Sequence, residues 1–317
     1  MRERTDAKVI REEILPYLAP RIKSLLKNRE DRFFRGLEEI RLRREKPLCL
    51  KIGDKDYGIN RRGEVTMNLN DSYVVNEEDI YRTIASISDN SLYVFEEDIK
   101  RGFITIPGGH RVGLAGQVIY KVNEIYNLKN FSGICFRIAR EIKGCAENIL
   151  PDIVENGRIL NTLIISPPRC GKTTVLRDLA RMISDGINLP EAKNVVIIDE
   201  RSEIAGCYQG VPQLDVGIRS DVLDSCPKAA GILMAVRSLS PQVVITDEIG
   251  RQEDAAAVYE CVNAGVAVIA TVHARDIEEL SKRPILRELL ASKSFKVGVV
   301  LSRRRGPGTL EMFYRWD

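Results

Sequence analysis

Histidine and tryptophan are almost missing from this chain: 317 residues contain two of the first and one of the second. The seven cysteines form no C-x-x-C pair and no metal-type spacing, which argues against a zinc centre. An odd cysteine count without a paired framework also argues against a disulfide scaffold, and for reduced thiols in a cytosolic compartment. Charge of one sign is lacking too. Forty-eight Lys and Arg stand against 45 Asp and Glu, and the basic clusters at Arg43–Arg44, Arg61–Arg62 and Arg303–Arg305 are short and scattered. No strong polyanion-binding surface follows from a net charge of +3 so distributed. Long apolar runs are absent. Val266–Val272 is among the longest, far short of the roughly 20 residues of a membrane helix, and the start MRERTDAKVI has no apolar signal core. The chain is therefore not expected to cross a membrane itself. No repeat of about 20 to 50 residues and no low-complexity tract is visible, which excludes a solenoid.

What is present is material for two ordinary domains. Apolar residues make up 44% and charged residues 29%, enough for a core and a solvated surface, and the length exceeds what one compact core usually takes. Between Ala7 and Asn28 the apolar positions Val9, Ile10, Ile14, Leu18, Ile22, Leu25 and Leu26 recur at helical spacing, with Pro16 and Pro20 placed to kink or divide the helix. Strand-like runs at Leu48–Ile52, Phe103–Ile106 and Ile134–Arg140 and a helical stretch at Glu77–Ser88 follow without regular alternation, which predicts an α+β domain. The polar stretch REIKGCAENILPD reads as a connection, giving expected domains of 1–145 and 146–317. Beyond it, short continuous apolar strands at Leu163–Ser166, Val195–Asp199, Val243–Asp247 and Val266–His273 alternate with helices. That pattern predicts a parallel sheet covered on both faces. The runs FKVGVVLS and TLEMFYRW around RRRGPG read as a closing hairpin.

The chemistry concentrates in the second half. SPPRCGKTT, comprising Ser166, Pro167, Pro168, Arg169, Cys170, Gly171, Lys172, Thr173 and Thr174, lies between an apolar strand and a helix whose inward face is Val175, Leu176, Leu179, Met182 and Ile183. A phosphate-binding loop requires this strand, loop and helix context. Backbone amides and the helix N-terminus would solvate a polyphosphate, Lys172 would reach its β/γ-phosphates and the Thr173 hydroxyl would ligate Mg²⁺. The first position of the motif, usually glycine, is Ser166, which lacks glycine's freedom at positive φ. VVITDE ends in Asp247 and Glu248, the arrangement of a Walker B strand: Asp247 would orient Mg²⁺ through water and Glu248 would polarise the attacking water. VVIIDE ends in Asp199 and Glu200, a second acidic strand end at the same expected edge. Either pair alone could merely cap a helix; two beside a phosphate loop favour function. His273 follows the strand VAVIATV, where it could donate to a γ-phosphate or serve structure. His110 sits in the glycine-dense GGHRVGLAG, which reads as tight turns or bulged strand. Arg111, Arg137, Arg201, Arg219 and Arg251 are candidates for an arginine finger, with no basis for choosing one.

Taken together, these motifs resemble a known family. The stretch from Asp247 to Asp276, DEIGRQEDAAAVYECVNAGVAVIATVHARD, is similar to the Walker B to histidine-box segment of the type II/IV secretion ATPases. GGHRVGLAG, GKTT, IDERSEIAG, DVLDSCPKA and DEIG, in this order, resemble the stage III sporulation protein AA branch across both halves of the chain. The resemblance implies a RecA-like P-loop ATPase domain behind a smaller N-terminal α+β domain, with ATP and Mg²⁺ as cofactors. It implies nucleotide ligands at Lys172 and Thr173, the Walker B pair at Asp247 and Glu248, Glu200 in an acidic box and His273 as the box histidine. It further implies a cytosolic motor, hexameric by family pattern, recruited by membrane proteins of a channel complex during endospore formation. The alternative is a RecA-like nucleic-acid-binding ATPase, since plastid and cyanobacterial relatives carry an added nucleic-acid module. No such module is expected here, and an aromatic content of 6% with no aromatics interleaved among Lys and Arg disfavours a single-strand platform.

Overall fold

The computed structural model describes residues 6–89, 91, 95–100, 102–121, 124–291 and 293–316, in two compact units of residues 1–140 and 141–317. In the first unit the divided N-terminal helix is α1 (Asp6–Val9), a π-turn at Ile10–Ile14, a 3₁₀ turn at Leu15–Tyr17 and α2 (Pro20–Lys27). The two prolines fall in the first turn of the 3₁₀ segment and of α2, where a missing N–H costs no ladder bond. After α3 (Asp31–Phe34), the strands β1 (Leu37–Arg43), β2 (Cys49–Ile52), β3 (Lys55–Ile59), β4 (Val65–Thr66), β5 (Phe103–Ile106), β6 (His110–Lys121) and β7 (Glu124–Arg137) form one antiparallel sheet. Their order is β4-β3-β2-β1-β7-β6-β5. α4 (Glu77–Ile87), opened by the reciprocal Asn76–Asp79 capping box, buries Ile80, Ile84 and Ile87 in the same core; α5 (Glu96–Lys100) precedes β5.

The glycine-dense segment is a bulged strand. The β6–β7 register shifts between Ala115 and Gln117, and a Cβ on Gly116 would stand 2.7 Å from the Lys129 carbonyl oxygen. His110, fully buried, accepts the Ala139 N–H at Nδ1 (3.0 Å) and reaches Glu13 from Nε2 (2.9 Å). Both ring nitrogens are thus engaged within this unit's own core, and the network assigns the proton to Nε2.

The second unit opens with the segment read from sequence as a connection, and that reading is corrected. Ala146, Ile149, Leu150 and Ile153 are buried in the unit's core, and the Ala146 N–H donates to Asp178. Their i, i+3, i+4, i+7 spacing is a one-sided apolar stripe that the flanking charges obscured. A small β8–β9 hairpin (Val154–Glu155, Arg158–Ile159) leads to the main sheet. Its strands are β10 (Thr162–Ser166), β11 (Val195–Asp199), β12 (Ser220–Asp224), β13 (Val243–Thr246), β14 (Ala267–His273), β15 (Val297–Ser302) and β16 (Thr309–Arg315), ordered β12-β11-β13-β14-β10-β15-β16. All pairs are parallel except the closing β15–β16 hairpin. Strands β10, β11 and β13 are buried along their whole length because helices cover both faces: α6 (Lys172–Asp185) packs on one, and α7 (Lys228–Ser238), α8 (Gln252–Asn263), α9 (Ile277–Ser281) and α10 (Pro284–Ala291) on the other. β12 was not legible in the sequence: SDVLD is an edge strand whose polar residues need no second covered face.

Candidate active site

Parallel register decides which residues share an edge. Ser166 pairs with His273 across β10 and β14, Thr246 with Ala270 across β13 and β14, and Ile198 with Thr246 across β11 and β13. The carboxyl ends of four strands, and with them the phosphate loop, both acidic pairs and His273, therefore lie along one edge of the sheet, where open α/β folds bind ligands.

The loop Pro167–Gly171 turns from β10 into α6. Gly171 caps the helix at φ +84°, and no side chain caps the first turn, so its amides remain available to an anion. The expectation that Ser166 would lose a needed positive φ is corrected. Ser166 is a buried strand residue, and the left-handed positions of the loop are Arg169 (φ +60°) and Gly171. Lys172, 8% exposed, turns its ammonium inward onto the carbonyl oxygens of Ser166 and Pro167 (both 3.0 Å) and onto His273 Nδ1 (2.8 Å). Burial without a directly bonded carboxylate lowers its pKa, partly offset by the fields of Cys170 and Glu248. His273 Nε2 lies 3.2 Å from Glu248 Oε1, and Arg201 reaches the other Glu248 oxygen at 3.6 Å. Glu248 has φ +28°, unusual for a non-glycine residue; its N–H is anchored on Thr271 Oγ1 (2.8 Å). A chain of polar contacts thus runs from Lys172 through His273 and Glu248 to Arg201.

A second chain lies beside it. Glu200 pairs with the ammonium of Lys228, which stands 3.2 Å from Asp247 Oδ1. Burial opposes the charge on Lys228, but Asp247 and Glu200 outweigh it and hold the group above the ordinary lysine value. Burial raises the pKa of Asp247, and Lys228 offsets part of the rise. Asp247 Oδ1 is buried and accepts no hydrogen bond, the ammonium approaching off the hydrogen-bonding direction. A buried oxygen with unfilled lone pairs, on the same edge as the Thr173 hydroxyl, fits a hard divalent cation such as Mg²⁺. Among the described residues no three His, Cys, Asp or Glu side chains converge on one metal position, so such a cation would depend on phosphate oxygens as well.

Two contributors escaped the sequence reading, Lys228 and the β15–β16 turn, and Asp199 takes a part other than the one read for it. Lys228 opens α7 in DVLDSCPKA, a segment read for its family resemblance with no role given to the lysine. Asp199 accepts the amides of Glu203, Ile204 and Ala205, shaping the turn that carries Glu200 and Arg201. The β15–β16 turn packs on the phosphate loop, the Gly308 N–H donating to the Cys170 carbonyl oxygen at 2.8 Å. Of the other arginine candidates in this unit, Arg219 donates to the Ser184 carbonyl oxygen and Arg251 is exposed at the start of α8. Arg111 lies in the first unit, its guanidinium 3.8 Å over the Phe103 ring, and Arg137 ends β7 there.

Comparison with known proteins assigns the chain. A family model described as sporulation stage III, protein AA, matches residues 8–316. The chain belongs to that family. Stage III sporulation protein AA of Bacillus subtilis (strain 168) is 43% identical over 305 residues, 96% of this chain and 95% of the relative. Among solved structures, the Legionella pneumophila ATPase DotB aligns with a TM-score of 0.56 at 14% identity, covering 83% of this chain and 72% of that one. The pilus retraction motor PilT, solved with bound ADP, aligns with a TM-score of 0.52 at 15% identity, covering 91% and 77%. At such identities the likeness is one of fold: the sporulation protein has the RecA-like P-loop architecture of secretion ATPases, with an N-terminal α+β domain. Among the described residues no helix is long and apolar enough to cross a membrane, and all seven cysteines are free.

Proposed function

We propose that this member of the sporulation family binds ATP with Mg²⁺ and hydrolyses it, as a motor of the secretion-ATPase kind. The observation that carries the reading is the 2.8 Å approach of Lys172 to His273, itself 3.2 Å from Glu248. It joins the phosphate-binding lysine to a carboxylate suited to water activation. In this reading the loop amides and Lys172 hold the β/γ-phosphates, Thr173 and Asp247 hold Mg²⁺, and the metal supplies charge neutralisation on the phosphate oxygens. Glu248 orients a water whose oxygen attacks the γ-phosphorus while the bond to the ADP oxygen breaks; Glu248 accepts the water's proton. His273, no longer bonded to Lys172, turns its Nε2–H from Glu248 to the γ-phosphate, and Glu200 belongs to the acidic box. An arginine from another subunit completes the charge; of the candidates within the chain, Arg201 reaches Glu248 at 3.6 Å. We further propose a homo-oligomer, six-membered by family pattern, in the cytoplasm and recruited by membrane proteins of a sporulation channel complex. We also propose two domains dividing close to residue 145, a reading supported by the two compact units of residues 1–140 and 141–317.

The test is ATP hydrolysis against protein concentration, with and without single-stranded DNA. Specific activity rising with concentration, insensitive to DNA and lost in Lys172→Ala, supports the motor. Concentration-independent, DNA-stimulated hydrolysis by a monomer would favour the nucleic-acid reading.

A further inference from the structure

The lysine at Lys228 is built into the acidic end of the sheet. Its side chain is 5% exposed, and its ammonium contacts Glu200 and stands 3.2 Å from Asp247 Oδ1. Its backbone is held in place with its helix. Lys228 is the first residue of α7, and a Cβ on Gly231, one turn later, would meet Ile198 Cγ2 at 2.6 Å, so α7 sits directly on β11. Two carboxylates this close, with Asp247 buried, require a counter-charge. Divalent cations are the usual one at such oxygen pairs; here a fixed ammonium holds the position. A metal ion approaching the same Asp247 oxygen meets that ammonium at short range, and like-charge repulsion in a partly buried site is strong.

Resting on the nucleotide reading above, we propose that Lys228 is the resident counter-ion of the Glu200–Asp247 pair and denies a divalent cation a stable seat until phosphate oxygens arrive. The metal then loads with the nucleotide as a preformed complex, and the site does not charge with free metal beforehand. Lys228 is in this account a positioning residue, holding the two carboxylates together without touching the reacting atoms.

Mn²⁺ serves as the probe, its free aquo signal followed by electron paramagnetic resonance on the full chain. Without nucleotide the parent should bind Mn²⁺ no tighter than about 1 mM, the weak regime of a site lacking its full ligand set. With a non-hydrolysable ATP analogue it should bind far more tightly. Lys228→Met should bind Mn²⁺ without nucleotide roughly tenfold or more tighter than the parent, because a unit positive charge is gone from beside the carboxylates. The gain should vanish when Glu200→Gln is added, and Lys228→Arg, which keeps the charge, should behave as the parent. A folded Lys228→Met with parental Mn²⁺ affinity overturns the proposal. If that variant does not fold, the parent decides: micromolar Mn²⁺ binding without nucleotide, removed by Asp247→Asn, overturns it, and its absence upholds it. Failure of the parent to bind Mn²⁺ even with the analogue sinks the nucleotide reading instead.

Discussion

Replacing Gly171 by Ala separates two costs that the structure places at one atom. Gly171 holds φ +84°, and a Cβ there would stand 2.9 Å from the Gly308 nitrogen and 3.3 Å from Gly308 Cα. The left-handed conformation costs an L-residue about 1–2 kcal/mol. The contact is with backbone, which cannot swing aside, and moving it breaks the Gly308 N–H to Cys170 carbonyl bond, about 1 kcal/mol more. The expected loss is about 2–3 kcal/mol, or about 5–10 °C in melting temperature for a domain of this size. Gly265 supplies the control, since it has φ +79° and nothing within 4 Å of its would-be Cβ. Gly265→Ala carries the conformational cost alone and should lose about half as much. Thermal unfolding without nucleotide is the assay. If Gly171→Ala melts at or above Gly265→Ala, the β15–β16 turn does not press on the phosphate loop, and the reasoning fails.

Lys172→Ala should weaken nucleotide binding, measured by titration with a fluorescent ATP analogue; affinity equal to the parent would remove Lys172 from the phosphate site. Glu248→Gln should leave that affinity largely intact and slow hydrolysis by about 10²–10⁴-fold, the usual range for a general base; parental turnover would make Glu200 the first candidate. His273→Ala should lower the catalytic rate more than affinity, whereas equal losses of ATP and ADP binding with a lower melting temperature would assign the ring to structure. Burial raises Asp199 to about 6, against amide hydrogen bonds that lower it and nearby Asp247 and Asp224 that raise it further. The folded state then binds a proton that the unfolded chain releases between about pH 4 and 6, so this group's contribution to stability falls as pH rises through that window. Relative to Asp199→Asn, the parent should lose about 1 kcal/mol of stability between pH 5 and pH 7; a difference that does not change with pH refutes the assignment.

Much of the second unit was legible because its strands are buried on both faces and so read as unbroken apolar runs between helices. The shared edge of the candidate site was legible wherever its residues follow an apolar strand, as with Ser166, Asp247, Glu248 and His273, since the end of an apolar run marks an address in space. Contributions made across the sheet were not. Lys228 meets Asp247 only because β11 and β13 are neighbours with α7 lying on β11, and Gly308 meets Cys170 because β15 pairs with β10. Neither adjacency follows from chain order, which places four of the strands out of sequence in the sheet. The misread segment at 141–153 failed for the opposite reason: its apolar stripe was local and visible, but charge frequency was weighed above spacing.

The two lysines at this edge share a charge and differ in what releasing them would require. Lys172 is held by neutral acceptors, two carbonyl oxygens, the Ser166 hydroxyl and an imidazole nitrogen, each worth about 1 kcal/mol net. Lys228 is held by two carboxylates at the sheet edge, and removing a buried ammonium from such partners leaves uncompensated charge at a cost of several kcal/mol. Burial lowers the pKa of the first, and the carboxylates raise that of the second. In the proposed reading, an arriving polyphosphate would therefore draw Lys172 off its acceptors and leave Lys228 in place. In that reading the same displacement loosens the ring, whose Nε2–H can then pass from Glu248 to the γ-phosphate, so movement of one ammonium changes the hydrogen bonding of both groups expected to act there. Recognition of the phosphates and preparation of the proposed catalytic pair would then be a single rearrangement, driven by the difference between neutral and anionic partners.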